Sequence, residues 1–140
     1  MYEYSCEVKR VVDGDTVDVV LDLGFDILYK CRVRLYGIDT PESRTRNKDE
    51  KARGKLASAF LKNAIDNGTK VVIQTKLKDS KGKFGRVLGD IVVDGVNINK
   101  AMVENYHAAA YFGQSKEAIE AVHNANRTRL IELGKFEPIV

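Results

Sequence analysis

Apolar and polar positions alternate through the first third of the chain. Val17, Val19, Leu21 and Leu23 alternate with Asp18 and Asp22, and Tyr29, Cys31, Val33 and Leu35 alternate with Lys30, Arg32 and Arg34. Successive strand side chains point to opposite faces, so each run predicts a strand with one buried face. Residues 8–12 and 16–23 flank Asp13-Gly14-Asp15, which predicts a hairpin. Residues 71–76 and 87–93 predict two more strands, joined by the turn-rich "KDSKGKFG". The period then changes to a helical one. Leu56, Ala59, Phe60 and Ala64 have helical spacing, as do Ile98, Ala101 and Met102. Ser115 can cap a last helix in which Ala118, Ala121, Val122 and Ala125 share a face, and Gly134 can end it.

The predicted order is βββαββαα, which is of the α+β class. Five strands with a helix after the third fit a small five-stranded OB-fold barrel carrying three α-helices. The order alone also allows other α+β folds. The 140 residues suit one domain, 1–140, with no internal repeat or low-complexity linker. Apolar content of 44% and charged content of 31% are globular values. No apolar run approaches the roughly 20 residues of a membrane span, so no membrane role is expected. The start, "MYEYSCEVKRVV", lacks the basic-then-apolar form of a signal peptide. A cytoplasmic location is expected on that ground, or secretion if a leader was removed. Cys6 and Cys31 are expected to be buried thiols rather than a bridge.

Net charge is only +3, but it is unevenly spread. Residues 43–55 carry net +4 and residues 70–86 net +5, which leaves the remainder at −6. Two basic segments on an acidic background are either solvated loops or the footprint of a polyanion.

Candidate chemistry gathers at strand ends. "VVDGDTV" puts Asp15 at a hairpin turn. "RVRLYGIDTPES" puts Arg34 near a strand end, with Asp39, Thr40 and Glu42 in a loop stiffened by Pro41, and Arg86 opens a later strand. Carboxylates with no soft ligand beside them suit a hard cation, Ca²⁺ or Mg²⁺. His107 and His123 have no ligand spacing and are expected to be packing or surface residues. An EF-hand loop is excluded: Gly14 comes second rather than sixth, strands flank it, and its twelfth position is Gly24. Metal-binding acids plus two arginines are what phosphodiester hydrolysis requires. A metal neutralises phosphate charge and orients water, arginine forks hold the phosphorus centre, and a further carboxylate handles the water's proton.

"VVDGDTV", "RVRLYGIDTPE", "GKFGR" and "VNINKAMV" resemble, in order and spacing, the staphylococcal nuclease family, over about residues 6–131. The resemblance implies a five-stranded OB-type barrel with three helices. It also implies a Ca²⁺-dependent endonuclease that cuts DNA and RNA and leaves 3′-phosphate ends. Asp15 and Asp39 match its metal carboxylates, Thr40 the residue whose carbonyl joins them, and Glu42 the acid that orients or deprotonates water. Arg34 and Arg86 match its phosphate-binding arginines, and Lys83 a lysine on a terminal phosphate. Single-stranded or unpaired nucleic acid is the expected partner, and the protein is expected to be a monomer. The alternative is a non-catalytic nucleic-acid-binding barrel.

The chain departs from the family pattern at the nucleotide grip. Phe84 stands where a phosphate-binding Tyr is found. "AAAYFGQ" offers Tyr111 for stacking, with Gly113 or Gln114, or Phe112 in a register shifted by one, where a second Tyr falls.

Overall fold

The computed structural model describes residues 2–76 and 87–139. In chain order these form β1 (Glu3–Asp13), β2 (Thr16–Asp22), β3 (Leu28–Leu35), β4 (Ile38–Asp39), α1 (Lys48–Asp66) and β5 (Val71–Thr75). Then come β6 (Val87–Val93), β7 (Val96–Asn97), α2 (Ile98–Glu104), β8 (Ala109–Ala110) and α3 (Lys116–Glu132).

Five strands close on themselves. The sheet runs β3-β2-β1-β5-β6, and a parallel pairing of Val33, Arg34 and Leu35 with Val87, Leu88 and Gly89 joins its two ends. This is the expected five-stranded barrel with three helices. Three two-residue strands, β4, β7 and β8, are additional. The predicted alternation holds in the body of the strands: Val17, Val19, Leu21, Val33 and Leu35 are buried, and Asp22 and Arg32 point outward. It fails at the turn end of the β2–β3 hairpin, where Leu23, beyond the end of β2, and Tyr29 are exposed. Ile73 and Ile91 fill the barrel from the far side, and Ala57, Leu61 and Met102 cover it from α1 and α2. Each fully buried Val, Leu or Ile contributes about 1.5–3 kcal/mol of transfer free energy.

α1 starts well before the apolar spacing shows it. Its first turns are charged, so periodicity is silent there. What starts the helix is Asn47, whose side chain accepts from Glu50 N at 3.0 Å, with Asp49 and Glu50 favourable at the positive helix end. Much of the basic segment 43–55 is therefore helix rather than loop. Arg53 within it is buried and paired with Asp49 at 2.9 Å.

α3 turns a different face inward from the one expected. Ala118, Ala121, Val122 and Ala125 are exposed. The inner face is Ile119, His123, Asn126, Arg127 and Leu130, of which only the ends are apolar. Polar anchors hold it. Asn126 donates to Ala108 O at 3.1 Å, and Arg127 forks onto Asp49 of α1 at 3.0 and 3.1 Å.

Cys6 lies opposite Leu21 and Cys31 opposite Val19, so β2 separates them. Strands lie about 4.7–4.9 Å apart, which puts positions two strands apart beyond the roughly 7 Å that a disulfide spans. Both thiols are free, as expected, though half-buried rather than buried. Burial, reinforced by Cys31, pushes the Cys6 thiol up to about 11. Among the described residues no helix is long and apolar enough to cross a membrane.

Candidate active site

The β1–β2 hairpin turns through Gly14 and Asp15 alone, and neither residue needs a positive φ. Gly14 is required for proximity instead. A Cβ there would stand 2.8 Å from Ala57 Cβ and 3.1 Å from Thr40 Cγ2. The missing side chain lets the turn sit down on α1 and on the loop after β4, which brings Asp15 to that loop. Thr16 Oγ1 donates to Asp15 Oδ1 at 3.0 Å, and Thr40 N to Asp15 Oδ2 at 3.3 Å. Asp13 acts elsewhere in the turn. It accepts from Ser43 Oγ and so ties the same loop to the hairpin.

Arg34 pairs across from Thr16, at the end of β3 nearest that turn. Its Nη1 donates to Leu35 O at 2.7 Å and its Nη2 to Ile38 O at 2.8 Å. The chain bends around this guanidinium between β3 and β4. Nη2 also lies 3.5 Å from Asp15 Oδ2 and 4.0 Å from Asp39 Oδ1, so one nitrogen reaches both carboxylates. Asp15 is the more enclosed of the two, with its side chain 14% exposed against 37% for Asp39.

Glu42 is exposed on the wall of the same cleft. Two features fix its backbone. Glu50 Oε2 accepts from Glu42 N at 3.2 Å. Gly54 of α1 leaves the space in which the Glu42 carbonyl lies, since a Cβ there would come within 2.6 Å of it. The cleft holds about 310 Å³ and brings together Asp15, Arg34, Asp39, Thr40 and Glu42, with Arg44 at its edge. A second groove beside it shares Arg34 and Asp39 and contains Tyr36, Leu88, Tyr111 and Phe112. Tyr111 thus lines a groove that also contains Asp39, and Tyr36 is a further aromatic there that the sequence did not single out. Lys83, Phe84 and Arg86 lie outside the described residues.

Among the described residues no three His, Cys, Asp or Glu side chains converge as a metal cluster. The oxygen donors that the cleft offers are the carboxylates of Asp15 and Asp39, with Thr40 lining it beside them. This all-oxygen set with few carboxylates suits a hard divalent cation that completes its shell with water and phosphate oxygens.

The unexpected member is His123, whose Nε2 meets Asp39 Oδ2 at 2.8 Å. It is neither a bystander on the surface nor mere packing. His107 does pack: it is buried, its ring 4.8 Å from that of Phe60. Burial, with Lys135 nearby, holds His107 below the usual imidazole range.

A family model described as "Staphylococcal nuclease homologue" matches residues 32–130. The chain belongs to this family. It is similar to "Endonuclease YhcR" of Bacillus subtilis (strain 168), with 33% identity over 116 residues, which are 79% of this chain and 9% of that protein. It is 36% identical over 105 residues to "Thermonuclease" of Staphylococcus intermedius, covering 75% of this chain and 58% of the relative. "SPbeta prophage-derived endonuclease YokF" of Bacillus subtilis (strain 168) is 32% identical over 97 residues, 69% of this chain and 31% of the relative. The chain thus spans less than two thirds of the length of each of these relatives. Two of the four staphylococcal nuclease motifs read from the sequence, "VVDGDTV" and "RVRLYGIDTPE", supply the segments that converge here: the β1–β2 turn, the end of β3 and the loop after β4. "GKFGR" lies outside the described residues, and "VNINKAMV" forms β7 and α2.

Proposed function

We propose that the chain is a Ca²⁺-dependent endonuclease that hydrolyses phosphodiester bonds of DNA and RNA and leaves 3′-phosphate ends. The observation that carries this reading is the meeting of Asp15, Asp39 and Arg34 in one cleft whose wall bears Glu42. The nuclease names of the relatives support it.

Asp15, Asp39 and the Thr40 carbonyl would hold the cation. When bound, it neutralises charge on a phosphate oxygen and orients water. Arg34 contributes a planar fork that stays protonated and matches two phosphate oxygens. To reach them it must trade part of its contact with the carboxylates, a trade that a cation on those carboxylates makes favourable. Glu42, exposed and held by its backbone, accepts the proton of the attacking water. The new bond forms from that water oxygen to phosphorus. The bond from phosphorus to the 5′ oxygen breaks, the phosphate stays on the 3′ oxygen, and the 5′ oxygen takes a proton from solvent. Arg86 is assigned the second fork on the same phosphate, and Lys83 a terminal phosphate. The groove with Tyr36 and Tyr111 offers rings on which an unstacked base can rest, which favours single-stranded or unpaired substrate.

The test is digestion of a single-stranded DNA and an RNA oligonucleotide in Ca²⁺, in Mg²⁺ and in chelator, with the product ends analysed by mass. Fragments bearing 3′-phosphate in Ca²⁺ alone are expected. Binding without cleavage in every condition would replace this reading with the non-catalytic barrel.

A further inference from the structure

The two acids of the cleft are held differently. Among the described residues the Asp15 carboxylate receives two hydrogen bonds, from Thr16 Oγ1 and Thr40 N. Asp39 is the more exposed, and among the described residues its side chain receives one, from His123 Nε2 at 2.8 Å. A carboxylate only accepts, so the proton of this bond sits on Nε2. His123 Nδ1 is buried with no partner among the described residues, so the ring is oriented by this one bond and by its packing.

The ring's own place is well determined. His123, Asn126, Arg127 and Leu130 share one face of α3. Asn126 holds Ala108 O, Arg127 holds Asp49 of α1, and Leu130 is buried. Ala108 directly precedes Ala109, which pairs with Asp39 between β8 and β4. The helix that carries the imidazole and the strand that carries the carboxylate are thus fixed to each other within a few residues of the bond.

Oδ2 of Asp39 is turned to His123, while Oδ1 faces Arg34 and the cleft. We propose that His123 is a positioning residue for Asp39, holding one carboxylate oxygen out of the cleft so that the other is presented singly to a divalent cation. This rests on the cation reading of the cleft proposed above. Partners of this kind fix ligand orientation, and their loss typically weakens metal binding about 10–100-fold.

The test is calorimetric titration of Ca²⁺ into the chelator-treated protein, with no nucleic acid present. His123→Phe keeps a ring and removes the donor. His123→Asn, one bond shorter, removes its reach and serves should the Phe variant not fold. His123→Gln places an amide nitrogen the same number of bonds from the backbone. Phe and Asn are expected to weaken Ca²⁺ binding by about 10–100-fold, and Gln to bind within about threefold of wild type. Unchanged or tighter binding by the Phe and Asn variants, or a Gln variant as weak as the Phe variant, would overturn the role of His123 alone. A wild-type protein that takes up no Ca²⁺ would overturn the cation reading itself, and this inference with it.

Discussion

Gly54 lies directly beneath the carbonyl of Glu42. A Cβ built on this glycine would stand 2.6 Å from both the Glu42 carbonyl carbon and its oxygen, and 2.7 Å from Ser43 N. All three are backbone atoms, which cannot swing aside as a side chain can. The helix backbone therefore comes this close to the loop bearing the proposed general base only because no methyl group stands between them.

Gly54→Ala should accordingly act on catalysis rather than on the helix. Alanine is the better helix former by about 1 kcal/mol, but the loop must move to accommodate it. A shift of about 1 Å in a reacting group can cost on the order of 10²-fold in rate. A fall of that size in kcat, with a melting temperature within a few degrees of wild type, is expected. Unchanged kcat would mean that Glu42 acts from a loop free to readjust.

Arg34 serves both the chain bend and the cleft, and Arg34→Lys should separate the two roles. The guanidinium donates to Leu35 O and Ile38 O as well as facing Asp15 and Asp39. Lysine keeps the charge but not the fork. The expected loss is about 10²–10³ in kcat, the size seen when one donor to a developing anion is removed. A stability loss of about 1–3 kcal/mol should accompany it if a carbonyl is left unpaired. Denaturant unfolding beside kinetics measures both, and a loss in kcat below about threefold would assign Arg34 to the chain bend alone.

His107 should make the fold acid-sensitive. Burial first, and Lys135 second, lower its pKa in the folded protein below the ordinary 6.5. The unfolded chain then binds more protons in the window between the two values, so stability falls as pH drops through 6.5 toward the folded value. Thermal unfolding between about pH 7.5 and 5.5 should show a steeper decline for wild type than for His107→Phe. Parallel curves would mean that the imidazole ionises without cost where it lies.

The barrel was legible because its strands have one face in and one face out, so Val17, Val19, Leu21, Val33 and Leu35 show a period of two. Asp15, Arg34, Asp39 and Glu42 were legible for a related reason: they occupy turns and strand ends, where short motifs keep their spacing. What was hidden depends on polar packing. The first turns of α1 carry Asn47, Asp49 and Glu50, which cap the helix and hold Glu42 without any apolar spacing. On α3 the small apolar residues mark the solvent face, and the inward face is held by hydrogen bonds from Asn126 and Arg127. Reading those polar residues at spacings of three and four would have exposed His123. Its partner Asp39, 84 positions away, follows only from the β4–β8 pairing.

The most direct measurement is cleavage of a fluorogenic single-stranded oligonucleotide by wild type and Asp15→Ala, each in Ca²⁺ and in chelator. Asp15 is more enclosed than Asp39, and it lies outside the barrel core. Wild type should cleave in Ca²⁺ and not in chelator, while a folded Asp15→Ala should be inactive in both. Full activity of the variant in chelator would contradict the account, because the chemistry would then need neither the carboxylate nor the cation assigned to it.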